Sequence, residues 1–347
     1  LEFERRWMYE VFLTYTVLQI SEDCLFSSAV FKLLSFGDNL LVTYVIAMRK
    51  LPLKLKQLQI LSRRTLPGET EEKEREKLTR GYQGELEFDK LLDEAVRDMD
   101  VYHLKDFRFK IDAGAETMKV ASGFSEVQID NLLVAGDRIY TFEVKNFGFD
   151  LVYGKKSWFF ISGQEYKDLS VQVNRQRTTL DFLIRDGGFK SDITPHLVFV
   201  NPKQTIYNMP AIENLMVPSN THRRLSSICI SNRYDHSSLV DYLNSRRLVK
   251  SMYDLPANVN FEELRSGVFC YLCDSVAELE KVSPYMYRCS SCKSTYKTLK
   301  IVEILIDEIR TLNPAWEISP VRISILSGGA ISSSCVRKYK RNGLIIF

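Results

Sequence analysis

The chain has 347 residues, which on length alone suggests about two or three domains. At 45% hydrophobic and 26% charged it has the composition of a soluble globular protein, which excludes wholesale disorder. A net charge of +3 is too mild to name a nucleic-acid partner by itself. Four of the 7 cysteines form two Cys-x-x-Cys pairs, which reads as zinc in a reducing, cytoplasmic setting rather than as a disulfide framework.

In chain order, residues 1–47 are an extension whose apolar stretch, 25–48, is interrupted by Lys32 and Asp38. The uninterrupted run 39–48 is too short to span a bilayer, and Leu1-Glu2-Phe3-Glu4 lacks the basic start of a secretory signal. The expectation is that an upstream start was chosen and that the natural protein begins at Met48; a membrane-associating extension is the alternative. Residues 48–80 are dense in charge, from Arg49 and Lys50 through Arg63 and Arg64 to the Glu/Lys run at 69–76. They read as a solvated helical arm broken at Leu66-Pro67-Gly68.

After Gly81-Tyr82-Gln83-Gly84 a helix is expected, with Phe88, Leu91, Leu92, Ala95 and Val96 at helical spacing. Glu85 falls near the centre of that apolar stripe, where a solvated carboxylate does not belong. An N-terminal acid favoured by the helix dipole is the plainer alternative. Strands are expected at 102–111, 126–134, 139–145, 150–153 and 157–162. A helix over 169–184 puts Leu169, Val173, Leu180, Leu183 and Ile184 on one side, with Gln176 on that line and Gln172 at its edge. A buried amide needs a partner. A short buried strand at 195–200 and a helix at 237–248 complete an α/β core with a hairpin inside it.

The hairpin carries the chemistry. If Val134 faces Ile139 across a Gly136-Asp137 turn, Leu132 faces Thr141, Asp130 faces Glu143 and Gln128 faces Lys145. Period-two alternation then puts Gln128, Asp130, Glu143 and Lys145 on one face. Like charges directly opposite destabilise a sheet, so the carboxylate pair predicts a cation between them. Hydrolysis of a phosphodiester needs such an ion. Asp130, Glu143 and the Val144 carbonyl are candidate Mg²⁺ ligands; Lys145 is placed to orient water or stabilise charge on the phosphate. Glu85 could add a carboxylate, and Gln172, or Gln176 one turn later, could hydrogen-bond the nucleophile or the phosphate. Glu143-x-Lys145 alone reads more plainly as a salt-bridged solvent face.

From residue 267 the composition changes. Cys270-Tyr-Leu-Cys273 and Cys289-Ser-Ser-Cys292 make two knuckles that bring four thiolates to one structural Zn²⁺. Cys24, Cys229 and Cys335 read as ordinary thiols. Residues 299–312 are helical by pattern, and 318–341 could form a small helix-turn-helix. From Lys293 onward nine Lys/Arg stand against four Asp/Glu, which suits contact with phosphate or a solubilising tail.

Gly81-Tyr82-Gln83-Gly84-Glu85, Gln128-Ile129-Asp130, Glu143-Val144-Lys145-Asn146 and Val171-Gln172-Val173-Asn174-Arg175-Gln176 together resemble the nuclease-related domain (NERD) family of the PD-(D/E)xK, restriction-endonuclease-like superfamily. The resemblance runs from about Gly81 to Pro202. It implies a mixed β-sheet flanked by helices and nuclease activity on DNA. It carries over Glu85, Asp130, Glu143, Lys145 and Gln172, all intact. Residues 48–80 and the ribbon also resemble the architecture of NERD proteins from Gram-positive bacteria, although the knuckles have Asp274 and Lys293 where glycine is usual.

The resulting expectation is an arm at 48–80, a nuclease-like core at 81–202 continuing to 266, a zinc ribbon at 267–298 and a basic helical tail at 299–347. The leading function is a Mg²⁺-dependent DNA nuclease without a small-molecule cofactor, with the zinc ribbon assisting nucleic-acid binding. The alternative is a non-catalytic nucleic-acid-binding protein.

Overall fold

A computed structural model of the chain describes residues 29–36, 40–47, 49–111, 125–211, 214–228, 234–273 and 278–347. Cys24, Cys229, Asp274 and most of the N-terminal extension lie outside the described residues. Within the extension, β1 (Ala29–Phe36) and β2 (Leu40–Ala47) pair antiparallel. Among the described residues no helix is long and apolar enough to cross a membrane.

The chain divides into two compact units, 1–50 with 83–251, and 51–82 with 252–347. The first is built on a five-stranded mixed sheet of order β11-β9-β5-β4-β3. Its strands are β3 (Tyr102–Ile111), β4 (Ser125–Ala135), β5 (Arg138–Lys145), β9 (Asp192–Phe199) and β11 (Leu215–Met216). β3, β4 and β5 run antiparallel, whereas β5, β9 and β11 run parallel. One face packs Phe107, Ile129, Leu132 and Ile139 against Leu180, Leu183 and Ile184 of α3 (Leu169–Asp186) and Leu239 and Leu243 of α5 (Ser237–Arg246). The other packs Leu133, Phe142, Val144 and Val198 against Phe88 and Leu92 of α2 (Glu69–Ala95) and Leu225 of α4 (Thr221–Ile228). Each fully buried Leu or Phe contributes about 1.5–3 kcal/mol. Helix α3 starts where it does because the Asp168 side chain accepts the Ser170 N–H at 2.8 Å. A second sheet, β10-β6-β7-β8, joins β6 (Leu151–Gly154), β7 (Ser157–Phe160), β8 (Glu165–Tyr166) and β10 (Ile206–Tyr207) over Leu151, Trp158, Leu169 and Phe199.

The structure corrects two readings of the charged segment. α1 (Leu53–Arg64) is no solvated arm: Leu55, Leu58, Ile60 and even Arg64 are buried. After the break at Leu66-Pro67-Gly68, α2 begins at Glu69 and runs unbroken through Gly81 and Gly84, rather than starting beyond them. Three acids in its first turn, Glu69, Glu71 and Glu72, favour that earlier start. Gly84 marks a close approach: a Cβ there would lie 2.4 Å from Cβ of Asn146.

The second unit gathers α1 with a three-stranded sheet, β12 (Leu279–Ser283), β13 (Met286–Cys289) and β14 (Thr295–Lys297), and with α6 (Thr298–Leu312), α7 (Pro320–Leu326) and α8 (Ser333–Arg341). Ile60, Tyr287, Val302, Leu305, Ile309 and Val336 share its core. Arg64 is buried there because its guanidinium is saturated. It bonds Glu308 Oε2 through Nη2 at 2.6 Å and donates to the carbonyls of Arg265, Gly267 and Leu326. Tyr271 donates to the other Glu308 oxygen.

Candidate active site and thiolate cluster

The β4–β5 register is the expected one from Val134↔Ile139 to Leu132↔Thr141 and Asn131↔Phe142. There the ladder stops. Where Asp130 would next face Glu143, the Asp130 carboxylate turns to accept the Val144 N–H at 2.8 Å through Oδ2. The neighbouring pairing is interrupted at the same level. β3 and β4 pair at Lys105↔Asn131 and again at Phe107↔Ile129, and Asp106 between them adopts φ 48°. Strict alternation fails across this point, since Ile129 and Leu132 face the same apolar cluster. The irregularity turns a buried carboxylate, 7% exposed, out of the regular ladder.

Glu143 and Lys145 emerge from β5 towards α3. Lys145 Nζ donates to Glu143 Oε1 and, at 3.3 Å, to Gln172 Oε1. Gln172 Nε2 reaches the same Glu143 oxygen at 2.5 Å. Gln176 Nε2 holds the second oxygen, Oε2, at 2.6 Å, and also the Gln128 carbonyl at 2.8 Å. Both glutamines singled out by helical spacing therefore meet Glu143; Gln128 joins through its backbone.

From α2, Glu85 and Asp89 converge on Arg49. Arg49 Nη1 bonds Glu85 at 2.9 Å, its Nε and Nη2 grip Asp89 at 3.1 and 2.9 Å, and Nη2 also donates to the Asp130 carbonyl at 2.6 Å. Neither Arg49 nor Asp89 was expected at the site. Asp89 could have been found one helical turn after Glu85, on the face that also presents Phe88 and Leu92. Arg49 sits in a segment rich in charge, and no local pattern separates it from its solvated neighbours.

Burial, then repulsion from Glu143 and Glu85, pushes the Asp130 carboxyl well above its ordinary range. Burial likewise raises Glu85 to about 7 although Arg49 opposes it. Four carboxylates, Glu85, Asp89, Asp130 and Glu143, thus gather around two cations, Arg49 and Lys145, and acids are in excess. The Val144 N–H is tied to Asp130, and this leaves the role of the Val144 carbonyl as an expectation.

In the second unit the four ribbon cysteines come together. Their sulfurs all lie within 4.8 Å of one another, with Cys270–Cys292 at 3.6 Å and Cys273–Cys289 at 3.5 Å. A tetrahedron with Zn–S bonds of about 2.3 Å has edges of roughly 3.8 Å. The geometry fits one metal ion such as zinc. Lys293, in the position where a knuckle glycine is usual, takes φ 62°, the left-handed conformation that glycine would adopt more cheaply. Cys335 is a free thiol.

A mixed sheet with helices on both faces, presenting an Asp and a Glu-x-Lys from adjacent strands, defines a nuclease-like core. Residues 80–200 match the model of the family described as the nuclease-related domain. No curated protein and no solved structure matches the chain.

Proposed function

We propose that the chain is a Mg²⁺-dependent phosphodiesterase acting on DNA, with a structural zinc in the ribbon. The observation that carries this reading is the bracing of Glu143: one oxygen takes Lys145 and Gln172, the other takes Gln176. A carboxylate held this firmly, with Asp130 locked beside it on Val144, is preorganised for a reaction centre.

The donor set suits a hard divalent ion. All candidate ligands are oxygens, and crowded buried carboxylates gain most from a nearby cation. The free oxygen of Asp130, Glu143 and the Val144 carbonyl would hold it, with Glu85 in reserve. A bound Mg²⁺ polarises the phosphate and lowers the pKa of water at the site. Lys145 supplies positive charge where the phosphate oxygens gain negative charge. The Gln172 amide orients the attacking water, and Gln176 holds Glu143 in place from α3. Arg49 fixes Glu85 and Asp89 and ties them to the backbone of Asp130.

The exposed basic residues of α8, Arg337, Lys338, Lys340 and Arg341, add affinity for phosphate. Four thiols grouped for a metal suit a reducing compartment, and we assign the protein to the cytoplasm. Cutting of DNA should require Mg²⁺ and vanish in Asp130→Ala, while elemental analysis should find one zinc per chain. A wild-type protein that binds DNA but leaves it intact with Mg²⁺ present would favour a non-catalytic binding role.

A further inference from the structure

Beside the candidate site lies a cavity of about 250 Å³. Its walls include Tyr153 and Trp158 from the small sheet, Leu197 from β9 and Asn174 from α3, with Lys156, Asn214 and the acid Asp168 also in the lining. Leu197 is the β9 residue in register with Glu143, so one wall of the cavity stands one strand away from the braced carboxylate. Helix α3 serves both places. It turns Gln172 and Gln176 to Glu143, and Val173 and Asn174 to the cavity.

The lining has two characters. Tyr153 and Trp158 are cross-strand partners whose rings meet edge-on at 5.1 Å, giving an aromatic wall. Asn174 and Asn214 each bring an amide, a donor and an acceptor together, and neither side chain has a hydrogen-bond partner among the described residues. A cavity below the usual size of drug-binding pockets, about 300 Å³ and upward, suits one flat heterocycle better than a whole nucleotide. Aromatic faces and free amides are the groups that read an unpaired base.

The rim adds charge in an unusual way. Gly154 and Ser157 pair across a two-residue turn whose central residues, Lys155 and Lys156, both have positive φ, 50° and 64°. Asn-Gly is the ordinary choice for that geometry; two lysines adopt it only at a conformational cost. Both are exposed, and neither is in an ion pair among the described residues. The nearby acids are engaged: Glu165 accepts from Ser157 and Asp168 caps α3. Lys156 in the lining, with exposed Lys155 next to it in the turn, puts positive charge beside a base-sized cavity, which fits a phosphodiester strand.

We propose that this cavity holds one unpaired base of a single-stranded DNA segment whose backbone passes Lys156 on its way to Glu143 and Lys145. The proposal rests on the nuclease reading and names its substrate: a base can enter only where the strand is not in a duplex stack.

The test reads binding, not cutting. A short fluorescent single-stranded DNA is titrated with the full chain without added Mg²⁺, and an abasic site is moved along it one nucleotide at a time. Wild type should show one position where loss of the base weakens binding about tenfold. The double variant Asn174→Ala/Asn214→Ala should bind the intact strand about tenfold more weakly and be indifferent to the abasic site there, while duplex affinity stays unchanged. Tyr153→Leu, which keeps an apolar wall, should show a weaker version of the same loss, and Tyr153→Phe none. An abasic penalty equal at all positions, or undiminished in the double variant, overturns the proposal. A chain with the position-specific penalty that never cuts DNA sinks the nuclease reading alone; one that cuts without the penalty sinks the cavity assignment alone.

Discussion

Asp130 and Val144 are joined side chain to backbone at the point where their strands stop pairing, so one carboxylate oxygen has a structural task and the other is the one the proposed function gives to the metal. The two tasks separate by mutation. Asp130→Asn can still accept the Val144 N–H but loses its charge among crowded carboxylates. It should unfold no more easily than wild type while cutting at least a hundredfold more slowly. Asp130→Ala leaves a buried N–H without a partner and should cost about 1–3 kcal/mol as well. Thermal unfolding of both variants beside the nuclease assay checks the split; equal destabilisation would mean that the charge itself holds the strand.

The proposed function gives Lys145 to the reaction and the α8 basic residues to affinity. Lys145→Ala should slow cleavage by about two or more orders of magnitude and leave DNA affinity within a few fold. Neutralising Arg337, Lys338, Lys340 and Arg341 together should weaken binding and flatten its salt dependence, with little change in rate at saturation. A Lys145→Ala protein that cuts at the wild-type rate would remove Lys145 from the site.

The second unit depends on a buried ion pair. Arg64→Met strands Glu308 and three carbonyls, which should cost about 3–5 kcal/mol. In urea unfolding followed by hydrogen exchange, amides of α1 and α6 should lose protection at lower denaturant while those of β4 and β5 keep their midpoint. Glu308→Gln, which retains an acceptor, should cost less.

His196 gives the first unit a pH dependence. It is buried in β9 and stacks on Phe142 at 5.1 Å, and burial drives its pKa down from 6.5 to about 4. The unfolded chain therefore binds more protons than the native one between those values, so stability falls as pH drops from about 6.5 towards 4. A shift of that size corresponds to roughly 3 kcal/mol. Stability curves of wild type and His196→Phe should converge near neutral pH and separate on acidification; parallel curves would assign the acid loss to other groups.

What could be read from the sequence was what repeats locally. Period-two alternation and one turn fix the register from Val134↔Ile139 to Asn131↔Phe142, and helical spacing aims Gln172 and Gln176 inward. Two knuckles announce a metal cluster. The misread parts all depend on partners distant along the chain. Arg49 finds Asp89 and Asp130, and Arg64 finds Glu308 some 244 positions away, so each looks like a surface charge until its partner arrives. The ladder's interruption at Asp130 was equally hidden, because it needs the left-handed turn of Asp106 on a third strand. Gly81 and Gly84 suggested a boundary when Gly84 in fact marks a contact.

That contact has a mechanical meaning. Asn146 follows Lys145 directly, and Gly84 precedes Glu85 directly, so the point where helix touches strand is shared by both halves of the acidic site. The missing side chain works like a gauge block in a machine: it sets how deep Glu85 can reach, with a tolerance of less than one methyl group. A single methyl added at Gly84 would detune the spacing of carboxylates it never touches, and on the proposed function the defect would surface as a change in metal preference rather than as a lost ligand.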